Sequence, residues 1–483
     1  MNEAKGHQAI DEPVPGVRSG GKVALPDEPV RVQVTDPTTA AVTATVLGGG
    51  KREAGRAVDA AAAALPQWAA TPPPRRAAAL QQVAAALRDE TDELARLVSV
   101  ETGKRIAEAR AEVGFSADFF EWFAATAAAL NGEVWNARPG TTHYVAAQPV
   151  GVVAVLTPWN FPLSIPARKL APALAAGCTT VFKPSEEAPL SGLRLAALIE
   201  EAVPAGAVET VVGPAEDVVS VWLNDRRVRG VTFTGSTRVG RLVAAQVAGR
   251  FVRTVLELGG AAPFVVLDGA DLDAAVDVLT VAKFRNNGQS CIAANTAWVP
   301  RRLLGELSDR LEAACASVVV GDPLDDATGL GPTCLRGDPA RLGALADDAR
   351  QHGARVVTAG DTAPGGGFFV APTLCIDPQP GARVLSEEIF GPLLPVVPYD
   401  DLDRAVEQVN ASNYGLAGYV FGPDPDAARA VAARLDVGLA GVNTGSPNTP
   451  QVPFAPRRDS GIGVEGGHAG MEQFLTFQTV AVS

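Results

Sequence analysis

Val150-Gly151-Val152-Val153-Ala154-Val155-Leu156-Thr157-Pro158-Trp159-Asn160-Phe161-Pro162 is the stretch that decides the fold. An apolar run stops abruptly at a polar turn held between two prolines. Further apolar runs follow at Thr179–Phe182, Glu209–Val212, Gly230–Thr234 and Thr254–Leu256, with helical stretches between them. Continuous apolar strands separated by helices predict a parallel sheet covered on both faces. Such sheets bind ligands beyond the carboxyl ends of their strands. Asn160, Lys183, Gly235-Ser236 and Glu257 all fall there.

Upstream, residues 51–129 are rich in Ala, Arg, Glu and Leu at helical spacing, which predicts several amphipathic helices, one of them opened by Pro72-Pro73-Pro74. Downstream, a second α/β unit begins near Phe264–Leu267 and runs to about Asn443. Residues 131–148 and 466–483 fit neither body and read as extended strands suited to packing on a neighbouring subunit. The chain has 483 residues, enough for two or three domains. Hydrophobic residues at 47% and charged residues at 20% place it among soluble globular proteins. The net charge of −13 argues against nucleic acid and anionic membrane as partners, so an anionic small molecule would need local arginines. No apolar run has the length of a membrane span. Met1 to about Gly21 is polar, lacks an apolar signal region, and reads as a frayed tail on a cytoplasmic protein. The five cysteines (178, 291, 315, 334, 375) are odd in number and form no CxxC pair, which fits reduced thiols and argues against a disulfide framework or a metal site.

Several of these residues carry chemistry. Gly235-Ser236-Thr237-Arg238-Val239-Gly240 follows a strand and opens a helix, where glycines admit a pyrophosphate and the helix N-terminus favours its charge. A plain strand-to-helix turn explains the same residues, and the spacing departs from G-x-G-x-x-G. Lys183-Pro184-Ser185-Glu186 can hold both hydroxyls of an adenosine ribose, with Glu186 repelling a 2′-phosphate; a solvated loop is the alternative. Pro158-Trp159-Asn160-Phe161-Pro162 is a rigid turn with one amide donor, fit for an oxyanion or for a simple Asx turn. Cysteine is by default a small buried hydrophobe, and Cys178, Cys315 and Cys375 have neighbours to match. Cys291 differs, because Asn286-Asn287-Gly288-Gln289-Ser290 precedes it. None of the four histidines (7, 143, 352, 468) is near it in sequence, so the carboxylate of Glu257, in Glu257-Leu258-Gly259-Gly260, is the candidate base. A thiol and a strand-end carboxylate are the two parts that thioester chemistry needs.

These blocks, together with Phe233-Thr234-Gly235-Ser236 and Glu387-Glu388-Ile389-Phe390-Gly391-Pro392, occur in an order and spacing that resemble the NAD(P)-dependent aldehyde dehydrogenase superfamily from about Lys51 to Phe477. The resemblance implies an α/β fold with a Rossmann-type cofactor domain (1–130 and 149–257), an α/β catalytic domain (258–445) and a small β oligomerisation element (131–148 and 466–483). It implies Cys291 as nucleophile, Asn160 and the Cys291 N–H as oxyanion donors, Glu257 as base for hydrolysis of the thioester, and Lys169 near that glutamate in a proton relay. It places NAD, with NADP possible, on Thr157, Pro158, Trp159, Lys183, Ser185, Glu186, Gly213, Phe233, Gly235, Ser236, Val239, Leu258, Gly259, Glu388 and Phe390. A homodimer or homotetramer is the implied assembly.

Within that family the stretches Ala117-Asp118-Phe119-Phe120-Glu121-Trp122-Phe123, Arg168-Lys169-Leu170-Ala171-Pro172-Ala173-Leu174 and Lys283-Phe284-Arg285-Asn286 are most similar to succinate-semialdehyde dehydrogenases. There, arginines matching Arg168 and Arg285 bind the substrate carboxylate, for which a guanidinium fork is well shaped; Phe454 joins them at the substrate mouth. Three departures stand out. Residue 293 is alanine where some relatives carry a second, redox-switching cysteine. Pro453-Phe454-Ala455-Pro456-Arg457-Arg458 replaces the usual Pro-Phe-Gly-Gly-x-Lys, and Thr444-Gly445-Ser446-Pro447-Asn448-Thr449-Pro450 is unusual, which leaves the loop path and the aldehyde open. The competing expectations are a neutral aliphatic or aromatic aldehyde as substrate, and a nucleotide-binding structural subunit without turnover.

Overall fold

The computed structural model describes residues 9, 10, 12–360 and 366–483. Its largest sheet has eight strands in the order Gly461–Ile462, Arg253–Glu257, Val228–Thr234, Val152–Leu156, Thr179–Lys183, Val208–Val211, Val17–Ser19, Lys22–Ala24. The five strands from Arg253–Glu257 to Val208–Val211 are parallel, and the outer ones are antiparallel. Val152–Leu156 and Thr179–Lys183 are buried along their whole length, because helices cover both faces. One face carries Pro73–Asp89, Ile106–Ala128 and Ser164–Ala176, whose Leu80, Phe120, Phe123, Leu170 and Leu174 close a core over the 152–156 and 179–183 strands. The strand order reverses beside Val152–Leu156: the chain runs outward through 179–183 and 208–211, then returns to 228–234 on the other side. The crevice at such a reversal is where these sheets take ligands.

A second sheet of seven strands, with Ala262–Val266 and Ala294–Pro300 near its centre, is parallel except for Arg355–Thr358. The two sheets part between Glu257 and Ala262, which sets Glu257 at the edge of one and the Cys291 loop, before Ala294–Pro300, at the edge of the other. Gly260 lies in that connector, and a Cβ there would stand 2.2 Å from the Cys291 carbonyl oxygen, so only glycine lets the two segments touch. Glu133–Arg138, Thr141–Pro149 and Leu475–Val482 form a separate antiparallel sheet.

Two expectations change at the ends of the chain. The segment read as a frayed tail holds Val17–Ser19 against Val208–Val211 and Val14–Pro15 against Val42–Gly48; residues 1–8 and 11 lie outside the described residues. Arg18 pairs with Glu200 at 2.8 Å and the Gly20 N–H donates to Glu209 at 2.7 Å, long-range contacts that leave no local signal. The tail from 466 is not all strand. Gly467–Glu472 is a helix entered through Gly466 and Gly467 at positive φ, because Met471 and Phe474 turn inward to the core. Among the described residues no helix is long and apolar enough to cross a membrane.

Candidate active site

Cys291 lines a cavity of about 280 Å³ walled by Phe115, Phe119, Phe161, Ile292 and Phe454, with Arg168 and Arg285 among its polar groups. The loop leading to it, Arg285–Gly288, holds Asn286 and Asn287 both at φ 56°. Asparagine tolerates this left-handed backbone better than most residues, and both side chains are used to tie the loop down. Asn287 Nδ2 donates to the carbonyls of Gly103 (2.9 Å) and Pro332 (2.8 Å); Asn286 Nδ2 donates to those of Asn160 (2.8 Å) and Gln289 (2.9 Å). Burial first, and then the nearby charge of the Glu257 carboxylate, push the Cys291 thiol well above its ordinary pKa. A thiol raised in this way needs a base to take its proton as it attacks.

Glu257 supplies a carboxylate at that place. It is buried at 1% exposure; Oε2 accepts from Arg168 at 3.1 Å and Oε1 has no hydrogen-bond partner. Arg168 Nε also lies 2.5 Å from Glu465 Oε2, and its guanidinium stacks 4.6 Å over the Phe454 ring. Burial alone would lower the Arg168 pKa, but Glu465 and Glu257 outweigh it and raise it. Lys169, expected beside Glu257, ion-pairs with Glu465 and donates to Thr232 Oγ1 at 3.0 Å; its link to Glu257 runs through Glu465 and Arg168. Arg285 donates to Ser446 Oγ at 2.8 Å and, among the described residues, has no acidic partner within salt-bridge distance. Asn160 is 3% exposed, with Nδ2 donating to the Gln289 carbonyl at 3.0 Å, two residues before the cysteine.

The residues expected around a dinucleotide sit at the carboxyl ends of the five parallel strands: Thr157-Pro158-Trp159, Lys183 to Glu186, Gly213, Gly235-Ser236, and Leu258-Gly259. Lys183 Nζ pairs with Glu186 at 2.7 Å. Ser236 caps Thr237–Ala248 and accepts from the Val239 N–H at 3.4 Å. Thr157 Oγ1 and Thr234 Oγ1, at adjacent strand ends, are buried without a partner, polar atoms such as a bound ligand would satisfy. Glu388 accepts from Gly260 N at 3.0 Å and is raised by burial to about 7. Phe390, at φ 48°, meets Trp159 edge-on at 5.7 Å. The donor set and the buried orphan hydroxyls fit a nicotinamide dinucleotide. The 453–458 loop places its positive φ at Arg458 (53°) rather than at Ala455 or Pro456, so neither replacement of glycine is strained.

Asn286, Ser446 and Asn448, quoted above without a role, also belong to this region, as do Lys104, Glu112 and Glu465, which the sequence did not point to. One signal was available for Lys104. The chain has only seven lysines, and Lys104, Lys169, Lys183 and Lys283 are all buried.

A doubly wound sheet whose switch-point crevice opens beside a half-buried cysteine and a buried carboxylate is the frame of a nucleotide-dependent oxidoreductase. The chain belongs to the aldehyde dehydrogenase family, whose sequence profile matches residues 25–480. It is 38% identical to glutarate-semialdehyde dehydrogenase of Pseudomonas putida KT2440 over 94% of each chain. It is also 38% identical to the NADP-dependent succinate-semialdehyde dehydrogenase GabD of Escherichia coli K12, over 82% of this chain and 83% of that one. The structure of an NAD-dependent aldehyde dehydrogenase from Sinorhizobium meliloti superposes with a TM-score of 0.96 at 31% identity, over 100% of this chain and 97% of that one. The protein is an aldehyde dehydrogenase that oxidises an aldehyde with NAD or NADP.

Proposed function

We propose that the substrate is a short aldehyde with a carboxylate at its far end, succinate semialdehyde or a near homologue such as glutarate semialdehyde, oxidised to the diacid with NAD preferred. The observation that carries this reading is Arg285, a guanidinium lining the cavity without an acidic partner among the described residues and with Ser446 beside it. A bidentate carboxylate is the ligand that such a fork lacks. Arg168 is the second candidate, but it already faces Glu257 and Glu465, so Arg285 carries the larger share of recognition. The semialdehyde substrates of the two relatives point the same way.

In the reaction, Cys291 Sγ attacks the aldehyde carbon and its proton passes to Glu257. The amide of Asn160 and the Cys291 N–H stabilise the oxyanion of the thiohemiacetal, an arrangement in which one donor is typically worth about 3 kcal/mol. A nicotinamide held at this crevice would supply the hydride acceptor. Cys291 is left as a thioester; Glu257, having passed the thiol proton on to solvent, removes a proton from the water that hydrolyses it. Lys183 and Glu186 would hold the adenosine ribose, Ser236 the pyrophosphate at the start of the 237–248 helix, and Glu388 with Phe390 the nicotinamide riboside. Glu186 favours NAD by repelling a 2′-phosphate.

The test is steady-state oxidation of succinate and glutarate semialdehydes, propanal and benzaldehyde, with NAD and NADP in parallel. The semialdehydes with NAD should give the highest kcat/KM; equal use of the neutral aldehydes would remove the carboxylate reading. The aromatic wall of Phe115, Phe119, Phe161 and Phe454 favours benzaldehyde as the second reading. We also propose a homodimer or homotetramer formed through the 133–149 and 475–482 strands, which expose Val134, Trp135 and Phe477. A monomer by light scattering at micromolar concentration would exclude it.

A further inference from the structure

The Asn160 carbonyl accepts two hydrogen bonds, and one comes from outside both catalytic loops. Asn286, on the nucleophile loop, donates at 2.8 Å; Lys104 Nζ donates at 3.0 Å. Lys104 stands between the helices Thr91–Thr102 and Ile106–Ala128 and is 1% exposed. Its ammonium ion-pairs with Glu112, equally buried, and lies 4.1 Å over the ring of Phe161. Glu112 in turn uses Oε1 to accept the N–H groups of Leu163 (3.0 Å) and Ser164 (3.1 Å), where the 164–176 helix begins. The segment that carries the amide donor is thus gripped at both ends, at its carbonyl by Lys104 and at its helix start by Glu112. The same turn holds the cysteine loop, since the Gly103 carbonyl accepts from Asn287 at 2.9 Å. Gly103 can do this only at φ 75°, with a would-be Cβ 2.5 Å from the Pro332 carbonyl oxygen.

We infer that Lys104 is a positioning residue for the oxyanion donor, setting the orientation of Asn160 relative to Cys291 through the Asn160 carbonyl. The inference rests on the proposed role of Asn160. A buried ion pair is in general a poor source of stability, and one that survives is better explained by what it specifies. Here it specifies one carbonyl and one helix start, both in the loop that holds the donor. Burial lowers the Lys104 pKa despite Glu112, as the desolvation of an ammonium demands.

The test is a double-mutant cycle between Lys104→Met and Asn160→Ala, with kcat, KM, cofactor binding and the melting temperature measured for each. Lys104→Met in the otherwise unaltered enzyme should lower kcat on the order of ten-fold, less than loss of the donor itself, with KM and cofactor affinity within about two-fold. In the Asn160→Ala background the same change should cost almost nothing further, because the group it positions is gone. Equal factors in both backgrounds would overturn the inference, as would an unchanged kcat. Asn160→Ala with undiminished kcat would instead sink the oxyanion reading. Glu112→Gln, which keeps the side-chain shape and an oxygen for Leu163 and Ser164, replaces Lys104→Met if that variant does not fold. It should show the same non-additivity at smaller size, and additivity there counts against the inference equally.

Discussion

Two buried charge clusters border the cavity, and they are wired differently. Lys104 and Glu112 face each other once and otherwise reach main-chain groups: the Asn160 carbonyl and the Leu163 and Ser164 N–H groups. Arg168, Lys169, Glu257 and Glu465, two cations against two anions, mostly face one another, and Glu257 keeps one oxygen free. A carboxylate that accepts from a helix start cannot move unless the helix end moves with it. One held by a guanidinium can exchange partners at little geometric cost, and a base that must meet a thiol and later a water needs that freedom. Charge of equal burial thus serves to fix one loop and to leave the other side of the cavity adjustable.

The hardest break comes at the Cys291 sulfur. Cys291→Ala should reduce aldehyde oxidation to background in an NADH assay while cofactor binding, followed by fluorescence titration, is unchanged; measurable turnover would place the nucleophile elsewhere. Next comes the adjustable cluster. Glu257→Gln should lower the steady-state rate by about 10²–10⁴-fold, with formation of the thioester and its hydrolysis both slowed. Rapid mixing should then resolve no fast burst of NADH, because the first turnover already needs the thiol proton removed. A variant with an undiminished steady state would remove the base assignment.

How far the sequence reaches follows the same division. The parallel sheet was legible because unbroken apolar runs such as Val152–Leu156 have one physical explanation, and with it came the strand ends where Asn160, Lys183, Ser236 and Glu257 sit. Cys291 was legible from its polar neighbours. What Lys104 and Glu465 do was not, since a lysine within a run of helical residues and a glutamate beside Gly466 look solvated until long-range packing buries them. Arg168 was read as a substrate ligand, and its pairing with Glu257 depends on two segments 89 residues apart. The 14–19 strands and the 467–472 helix were missed because their order comes from distant partners rather than local pattern.

Stability separates the clusters further. Arg168→Met leaves Glu257 and Glu465 buried with fewer counter-charges, a change that costs about 3–5 kcal/mol when such a partner is removed. Lys104→Met leaves Glu112 its two backbone donors, so its thermal melt should fall by clearly less. Comparable drops in the two melts would mean that backbone donors do not substitute for a cation here.

A carboxylate with backbone and hydroxyl donors but no cation completes the series. Glu101, fully buried, accepts from the N–H groups of Leu190 and Ser191 and from the Ser191 hydroxyl. Burial raises its pKa from 4.5 to about 7, against the pull of those hydrogen bonds. Glu465 is as deeply buried, yet Arg168 and Lys169 outweigh burial and hold it below its ordinary value. The signs for stability are therefore opposite. The folded state binds the Glu101 proton more tightly than the unfolded chain does, so that contribution is complete below the unfolded value and lost as pH rises through about 7. For Glu465 it is complete above the unfolded value and lost in acid. Over the Glu101 window the loss is about 3 kcal/mol at most. Glu209 and Glu388, also raised to about 7, add to the same slope, so the difference between wild type and Glu101→Gln is the informative quantity. Urea midpoints from pH 5 to 8 should fall less steeply in the variant. Parallel curves would mean that the N–H groups at the start of the 189–202 helix already keep Glu101 ionised, doing for it what a cation does for Glu465.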